Sequence, residues 1–342
     1  MRPIVSVLLP YRNAEETLEE ALASVLRERS IDLEVIAVDD GSTDAGPAIV
    51  ERIRSADPRL IPESAPSGGI ARALNRGLSV ARGSFIARMD ADDISLPGRF
   101  ERQVAAFADA DTNARYPRLA VVGAQVEAFP EGAVGEGMRL YIAWQNALIT
   151  PEDHAREIFV EAPLCHPSVM IRRAALDEVG GFREGPWPED YDLWLRLDAR
   201  GYQFAKVPEI LFRWRQRKAS ATFSDPRYSL ARFTETRSFY LAPRLLAKGR
   251  PIAVWGAGKT GRRLARELAS HGARPELFID IDPRKIGRTA QGAPIEAPEV
   301  LAPGRNTIVV AVGARGAREL IRAHLRAAGF REGMDFDFIC AA

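Results

Sequence analysis

Phe85-Ile86-Ala87-Arg88-Met89-Asp90-Ala91-Asp92-Asp93 is the stretch of sequence that decides the fold. Its first five residues are apolar except for Arg88 and predict a buried strand, and three aspartates follow where that strand should end. Crowded carboxylates repel one another, and a hard divalent cation such as Mg²⁺ or Mn²⁺ relieves the repulsion. The alternative is a polar turn before a helix, with Asp93 or Ser95 as N-cap and Pro97 in the first turn. Three acids exceed what a cap needs, so the segment favours a metal site.

Length and composition limit the classes of protein that this chain can be. Its 342 residues predict two domains, and its formal net charge of +1 argues against a nucleic-acid partner bound through bulk charge. Cys165 and Cys340 are too few for a disulfide framework, which fits a reducing compartment. No apolar run reaches the length of a membrane span, and no signal peptide precedes the first strand pattern. We therefore expect a cytoplasmic protein, with peripheral contact at the inner face of the membrane and homo-oligomer formation left open.

Strand and helix patterns alternate in the chain before residue 90. Residues 4–9 and 33–38 predict short buried strands, and three amphipathic helices are predicted, the last over residues 70–81 with Gly83 as its stop. This alternation predicts an α/β fold with a mostly parallel sheet, whose ligand lies beyond the carboxyl ends of the strands. Polar residues follow three predicted strands, at residues 10–13, 39–40 and 90–93. Each could be an ordinary turn, but together they favour a site.

Five blocks of sequence, in order, resemble the signatures of family 2 glycosyltransferases, which have the GT-A fold. The blocks are Val5-Ser6-Val7-Leu8-Leu9-Pro10-Tyr11-Arg12-Asn13, Val38-Asp39-Asp40-Gly41-Ser42-Thr43-Asp44, Asn75-Arg76-Gly77-Leu78 with Ala81-Arg82-Gly83, Met89-Asp90-Ala91-Asp92-Asp93, and His166-Pro167-Ser168-Val169-Met170 with Gly180-Gly181-Phe182 and Glu189-Asp190-Tyr191-Asp192-Leu193-Trp194. The resemblance covers roughly residues 1 to 220. It implies a nucleotide-sugar donor, with a UDP-sugar expected, a saccharide or glycoconjugate acceptor, and inversion at the anomeric carbon.

The resemblance also implies roles for residues on the donor side. Asp92 would hold Mg²⁺ or Mn²⁺, and Asp90 would lie in the metal shell or contact the ribose. Asp39 and Asp40 would face the nucleobase, with Asp40 favoured. The remaining donor-pocket residues implied are Pro10, Tyr11, Asn13 and Asn75. Arg72 is interpreted as facing the nucleotide or as lying on the helix surface.

The transfer also needs a base for the acceptor hydroxyl, because an alcohol is a poor nucleophile until it loses its proton. Asp190 is the predicted base, and an aspartate with an ordinary pKa of about 3.9 is ionised at neutral pH. Glu189, His166 and Trp194 are predicted to bind the acceptor or to support the site. The alternative for Glu189 and Asp190 is that they are helix-start acids favoured by the helix dipole.

One segment departs from the family pattern. Arg217 stands where many relatives carry a histidine, in Leu211-Phe212-Arg213-Trp214-Arg215-Gln216-Arg217-Lys218. Arg215, Arg217 and Lys218 would clamp the diphosphate or would form a solvated basic face.

The last part of the chain reads as a separate domain. We expect the first domain over residues 1–222, a helical linker over 223–249, and a small Rossmann-like α/β domain over 250–342. A predicted strand over residues 252–255 leads into Gly256-Ala257-Gly258-Lys259-Thr260-Gly261, a helix follows, and the next strand ends at Asp280. Gly256, Gly258, Gly261 and Asp280 would bind a nucleotide, or the glycines would serve only helix-strand packing.

The sequence is compatible with three functions. The first is a metal-dependent glycosyltransferase in cell-surface polysaccharide or glycoconjugate synthesis. The others are an NAD-linked nucleotide-sugar oxidoreductase that uses the C-terminal glycine motif, and a non-catalytic sugar-nucleotide sensor. The five ordered blocks and Asp190 favour the first.

Overall fold

A computed structural model describes residues 2–217, 225–333 and 337–342 of the chain. These residues form two compact units. The first comprises residues 2–154, 163–185 and 192–217, and the second comprises residues 155–162, 186–191, 225–333 and 337–342. The second unit therefore takes in two short segments, 155–162 and 186–191, from the part of the sequence assigned above to the first domain.

The first unit is built on an eight-stranded sheet. Its strands are β1 (Val5–Tyr11), β2 (Leu33–Asp39), β3 (Leu60–Ser64), β4 (Phe85–Arg88), β5 (Ile94–Ser95), β6 (Leu119–Phe129), β7 (Met170–Arg172) and β8 (Gln203–Arg215). Their order is β3-β2-β1-β4-β7-β6-β8-β5. The first four strands of that order run parallel, β7 is antiparallel to both its neighbours, and β6 runs parallel to β8. The predicted α/β fold with a mostly parallel sheet is confirmed.

Eight helices connect these strands within the described residues before residue 217. They are α1 (Leu18–Leu26), α2 (Gly46–Ala56), α3 (Ile70–Val80), α4 (Arg99–Asn113), α5 (Glu136–Ala147), α6 (Pro151–Glu157), α7 (Arg173–Glu178) and α8 (Glu189–Ala199). Strand β1 is buried along its whole length because helices cover the sheet. Helix α1 buries Leu18, Leu22 and Val25, one face at helical spacing.

A polar cluster fixes the amino ends of β1 and β2, the edge opposite the polar strand ends. The Ser6 hydroxyl donates to Glu34 at 2.6 Å and accepts from the Gly83 amide at 2.8 Å. The Arg82 guanidinium donates to Glu34 at 2.6 and 2.8 Å. A Cβ at Gly83 would lie 2.5 Å from the Ser6 amide nitrogen, so only glycine fits there. The prediction that Gly83 stops α3 is wrong, because the helix ends at Val80 with Ala81 as its C-cap.

The second unit contains a six-stranded sheet and confirms the predicted second α/β domain. Its strands are β9 (Ile252–Trp255), β10 (Leu277–Ile279), β11 (Thr289–Ala290), β12 (Ala293–Glu296), β13 (Thr307–Val310) and β14 (Phe338–Cys340), in the order β11-β12-β10-β9-β13-β14. All the pairings are parallel except β11 with β12. Helix α9 (Leu230–Ala247) precedes the sheet, and α10 (Lys259–Ser270) and α11 (Ala317–Ala327) follow β9 and β13.

None of the helices described over residues 2–217, 225–333 and 337–342 is both long and apolar enough to cross a membrane.

Candidate functional site

The three polar strand ends of the first unit lie at one edge of its sheet. Strands β1, β2 and β4 run parallel, and Tyr11 at the end of β1 is in register with Asp39 at the end of β2. The Asp40 amide donates to the Tyr11 carbonyl at 2.9 Å, and the Met89 amide donates to the Leu8 carbonyl at 3.1 Å. These bonds extend the ladder beyond the strands and hold the loops that carry the acids beside one another.

Asp90, Asp92 and Asp93 form a tight acidic triad after β4. One carboxylate oxygen from each lies within 4.8 Å of the others. Burial and then the charge of Asp90 raise the pKa of Asp92 to about 6, although Arg217 and Arg215 act in the opposite direction. Burial, followed by Asp90 and Asp92, also raises the pKa of Asp93 well above its ordinary value. Burial and mutual repulsion therefore disfavour the fully ionised form of the triad.

Asp93 provides the test of whether a cation fits the triad. Its side chain is 1% exposed, and Oδ1 accepts a hydrogen bond from the Arg215 amide at 2.7 Å. Oδ2 is buried and has no hydrogen-bond partner among the residues that the structure describes. Such an orphaned carboxylate oxygen is costly, and three carboxylates are the hard ligands that Mg²⁺ and Mn²⁺ prefer. The donor set fits a divalent cation.

The alternative interpretation of Asp93 or Ser95 as a helix cap is wrong. Helix α4 begins at Arg99 after Gly98, which has the left-handed conformation, and Ser95 belongs to β5. Asp93 binds β8 instead of a helix end.

Arginines surround the triad. Arg88 forms an ion pair with Asp90, and Arg217 Nε lies 3.5 Å from Asp92 Oδ2. Arg215 Nε donates to the Asp92 carbonyl at 2.6 Å, and a second nitrogen of the same guanidinium lies 2.5 Å from Glu20. The geometry therefore places Arg215 and Arg217 against the triad, and Lys218 lies outside the described residues.

Two arginines at this site were not recognised from the sequence. Arg88 reads as a break in an apolar strand, and its pairing with Asp90 depends on the turn that follows. Arg99 is fully buried and donates from one nitrogen to the carbonyls of Arg88 and Pro167, at 2.8 and 3.0 Å. It thereby ties the end of β4 to the segment that contains His166. A single arginine on an amphipathic helix gives no sequence signal of such a role.

The residues at the end of β1 shape the neighbouring loop. Pro10 and Tyr11 are buried and are the last two residues of β1. Burial, and secondly the negative charge of Asp39, raise the pKa of the Tyr11 phenol. Asn13 has a φ of 48°, and its side-chain oxygen accepts from the Thr43 amide at 2.8 Å. Asn13 therefore holds the loop that follows β2.

The two acids at the end of β2 have different surroundings. Asp40 is buried and accepts from the Gly68 amide at 2.9 Å and the Gly69 amide at 3.0 Å, using both oxygens. Asp39 is half-buried, and its Oδ1 accepts from the Ser42 amide at 2.9 Å. Asp40 thus fixes the entrance to α3, and Asp39 is the more accessible carboxylate.

Asn75 and Arg72 on α3 contact the 182–184 segment of the same unit. The Asn75 amide donates to the Phe182 carbonyl at 2.6 Å and accepts from the Phe182 amide at 2.9 Å. Arg72 pairs with Glu184 at 2.8 Å on the surface. These contacts hold the turn after the Gly180-Gly181 pair, which has positive φ at both glycines.

His166 and Trp194 form an aromatic cluster in the first unit. The His166 ring centroid lies 5.7 Å from that of Trp194 and 5.8 Å from that of Phe182. Burial lowers the pKa of His166 well below its ordinary value, and Trp194 is completely buried. This burial favours a supporting role for both side chains over contact with an acceptor.

Glu189 and Asp190 belong to the second unit. The Tyr228 hydroxyl lies 2.8 Å from both carboxylate oxygens of Glu189, which is buried. Asp190 is half-buried, and its Oδ1 accepts from the Tyr191 amide at 2.7 Å at the start of α8. Glu189 is therefore buried and hydrogen-bonded to Tyr228, and Asp190 is the more accessible acid of the pair.

Three of the four residues predicted for a C-terminal nucleotide site line a cavity. Gly256, Gly258 and Asp280 line about 390 Å³ at the carboxyl ends of β9, β10 and β13. Gly261 lies behind them in the first turn of α10.

Comparisons with known proteins identify the class of protein. The Glycosyl transferase family 2 model matches residues 6–180, just over half of the chain. EpsE of Bacillus subtilis, which carries the name of a glycosyltransferase, is 32% identical over 220 residues, covering 63% of this chain and 73% of EpsE. The amylovoran biosynthesis glycosyltransferase AmsE of Erwinia amylovora is 30% identical over 213 residues, covering 61% of this chain and 75% of AmsE.

The fold agrees with that assignment. Residues 1–349 of TarS from S. aureus, crystallised with UDP-GlcNAc, superpose with a TM-score of 0.55 at 21% identity, covering 81% of this chain and 74% of that one. The chain belongs to glycosyl transferase family 2 and is a glycosyltransferase with the GT-A fold. The family assignment favours a transferase over the oxidoreductase and sensor alternatives.

Proposed function

We propose that this glycosyltransferase moves a sugar from a UDP-sugar to a hydroxyl of a saccharide acceptor, with inversion, in the synthesis of a cell-surface polysaccharide. The observation that carries the proposal is the acidic triad of Asp90, Asp92 and Asp93 at the carboxyl ends of parallel strands. The name of AmsE, an amylovoran biosynthesis glycosyltransferase, supports a role in polysaccharide synthesis. The UDP-GlcNAc bound to TarS makes UDP-sugars the first donors to test.

Asp90 and Asp92 would hold Mg²⁺ or Mn²⁺, with the orphaned oxygen of Asp93 as a third ligand. When bound, the cation neutralises the charge that grows on the leaving diphosphate. Arg217, which lies 3.5 Å from Asp92, would pair with a diphosphate oxygen beside the triad.

Asp39 is our candidate for the nucleobase contact, in place of the Asp40 favoured by the sequence. A nucleobase N–H needs an accessible acceptor, and both oxygens of Asp40 already accept from the Gly68 and Gly69 amides. Asp39→Asn should therefore weaken UDP binding more than it weakens folding, and Asp40→Asn should do the reverse. Equal loss of UDP affinity without loss of stability in both variants would contradict this assignment.

Asp190 is the proposed base. Its carboxylate would take the proton of the acceptor hydroxyl as the new bond to the anomeric carbon forms. The bond from that carbon to the diphosphate breaks at the same time, and its electron pair leaves with the diphosphate. The support is the position of Asp190 in the family block and the engagement of the neighbouring Glu189 by Tyr228.

The experiment begins with the full chain and a panel of UDP-sugars and GDP-mannose. Release of the nucleoside diphosphate is measured with Mn²⁺, with Mg²⁺ and with EDTA. We expect release from at least one UDP-sugar only when metal is present. Turnover that is unaffected by EDTA would overturn the metal assignment, and intact donors throughout would overturn the proposed donor class.

Asp190→Asn tests the base separately. We expect turnover to fall by roughly 10²–10⁴-fold while UDP binding in Mn²⁺ is retained, because only the proton acceptor is lost. Asp177→Asn on α7, an exposed acid, is the control and should leave both quantities unchanged. Near-normal transfer by Asp190→Asn would remove Asp190 from this role.

A further inference from the structure

The cavity of about 390 Å³ in the second unit is not used by the proposed transfer reaction. It lies where β9, β10 and β13 end, and the start of α10 forms one of its walls. Ligands of open parallel sheets bind at this edge. We propose that the cavity binds a nucleoside diphosphate, either free or as part of a nucleotide-sugar or dinucleotide.

Two glycines of the motif are required for packing, whereas the third is not. A Cβ at Gly261 would lie 1.8 Å from the Gly256 carbonyl oxygen, and a Cβ at Gly256 would lie 2.5 Å from the Ala311 carbonyl oxygen. Packing alone therefore requires glycine at these two positions. Gly258 differs, because a Cβ there would meet no atom within 4 Å and its φ of −86° suits any residue. Gly258 lines the cavity, so a glycine there leaves the backbone open to a ligand.

The charge around the cavity suits a diphosphate. The first amides of α10 have no preceding helical carbonyl to bind, so they point their partial positive charge toward the cavity wall. Lys259 and Lys285 line the same space. Asp280 is the acid there, and its charge is compensated because Lys285 Nζ lies 2.9 Å away and the Ala257 amide donates to it at 3.0 Å. An incoming anion therefore meets a net positive wall.

The rest of the lining is apolar and suits a base. Ile281 is 75% exposed and Leu320 is 74% exposed, an unusual state for two large aliphatic side chains that line one cavity with Val312. A planar base between them would remove this surface from water. The glycine turn and the cavity beside it match a single mononucleotide-binding half of a doubly wound domain.

Binding is tested on the full chain carrying Asp92→Asn, in EDTA, so that metal-dependent donor binding at the first unit is suppressed. Calorimetric titrations use ADP, UDP, NAD, UDP-GlcNAc and inorganic phosphate. We expect at least one of the four nucleotides to bind and phosphate to bind at least tenfold more weakly. The preferred probe distinguishes a free nucleotide from a dinucleotide or a nucleotide-sugar. Absence of binding by all four nucleotides, or equal affinity for phosphate, would overturn the proposal.

Gly258→Val locates the binding. Gly258 lines the cavity and a Cβ there meets no atom within 4 Å, so we expect at least tenfold weaker nucleotide binding and an unchanged thermal midpoint. Gly135→Val is a matched control, because Gly135 is also an extended helix N-cap with open space beyond its Cα, but it lies in the first unit. Leu320→Ser, which removes apolar surface without adding charge, should weaken nucleotide binding and spare phosphate. Wild-type nucleotide affinity in Gly258→Val would overturn the assignment.

The outcome is independent of the proposed transfer. Metal-dependent donor turnover is measured in parallel on Gly258→Val with Asp92 intact, and it should equal that of the wild-type chain. A chain that turns over donor but binds no nucleotide in EDTA would overturn only the inference about the second unit.

Discussion

Both units carry aspartates where buried parallel strands end, but the pKa values of Asp92 and Asp93 in the first unit and of Asp280 in the second are shifted in opposite directions. In the first unit, Asp92 and Asp93 stand beside Asp90, and both have a raised pKa. In the second, burial acts to raise the pKa of Asp280, but hydrogen bonds from Lys285 and from backbone amides lower it overall. An acid at a strand end is therefore not itself evidence of a metal site. The informative property is whether neighbouring donors offset the cost of burying the carboxylate.

Buried cations show the same contrast. Lys206 on β8 donates to the Gln145 carbonyl, and burial lowers its pKa to about 7. In the second unit, Arg322 on α11 lies 2.8 Å from Glu157 and 2.7 Å from Glu332. Burial alone would lower the pKa of Arg322, but these acids raise it. The buried cation described here in the second unit therefore has acidic partners, whereas the one in the first unit donates to a backbone carbonyl.

The largest expected effect is on turnover. Asp92→Asn removes the charge of the proposed metal ligand, and metal-dependent turnover should fall by about 10³-fold or more because the leaving diphosphate loses its stabilisation. Asp109→Asn, an exposed acid on α4, is the control. Donor affinity in Mn²⁺ is measured by calorimetry and turnover by release of the nucleoside diphosphate. If both are unchanged in Asp92→Asn, the contrast between the triad and Asp280 does not reflect a metal site.

A smaller effect is expected on the stability of the second unit. Asp280→Asn loses the ion pair with Lys285 and weakens the bond from the Ala257 amide, so unfolding should become easier by about 1–3 kcal/mol at pH 7.5. The folded pKa of Asp280 is below the unfolded value of 3.8, so its contribution is present above that value and is lost as the pH falls. Denaturant unfolding measures it, and a variant as stable as the wild type would contradict the structural role.

Asp92→Asn should change the stability of the metal-free protein in the opposite direction to Asp280→Asn. The folded pKa of Asp92, about 6, is above the unfolded 3.8, so its ionisation penalises folding above pH 6 and the penalty disappears as the pH falls toward 4. We expect the variant to be more stable by about 1–2 kcal/mol at pH 7.5 in EDTA, with the gain absent near pH 4. A destabilised variant under these conditions would show that the triad is already balanced.

The smallest effect is expected at Lys206. Its folded pKa is below the unfolded 10.5, so the folded state favours the neutral amine and stability falls as the pH decreases from 10.5 to about 7. Lys206→Met should gain about 1 kcal/mol at pH 6.5 and nothing near pH 10, since it loses one hydrogen bond but no longer buries a charge. Lys248→Met is the control, because Lys248 is a half-buried lysine at the C-cap of α9. Equal effects at both pH values would exclude titration of Lys206 as the cause.

The sequence was sufficient where local pattern determines structure. Residues 252–255 and 33–38 were predicted as strands and form β9 and most of β2, because continuous apolar runs bounded by turn residues are typical of buried parallel strands. Strand β3 was missed because Pro62 interrupts it, which only an edge strand tolerates. Strand β14 has three residues, too few for a periodic signal.

Hydrogen bonds between residues that are distant in the chain could not be predicted from the sequence, and the geometry of the site depends on them. The three acids are adjacent in sequence, so their crowding was visible. The bond from the Arg215 amide to Asp93 joins residues 122 positions apart and depends on where β8 runs. The different surroundings of Asp39 and Asp40 likewise depend on the Gly68 and Gly69 amides, which no pattern connects to them.

The cluster of Ser6, Glu34, Arg82 and Gly83 lies at the strand edge opposite the acids, although Arg82 and Gly83 belong to a block that resembles a glycosyltransferase signature. In a genetic selection for polysaccharide production, substitutions at Glu34 or Gly83 would cause loss of production, as would substitutions at Asp92. The cause would differ, because the first group would lower the amount of folded protein in the cell and the second would lower turnover per molecule. Immunoblotting of each mutant would sort signature residues kept for chemistry from those kept for folding.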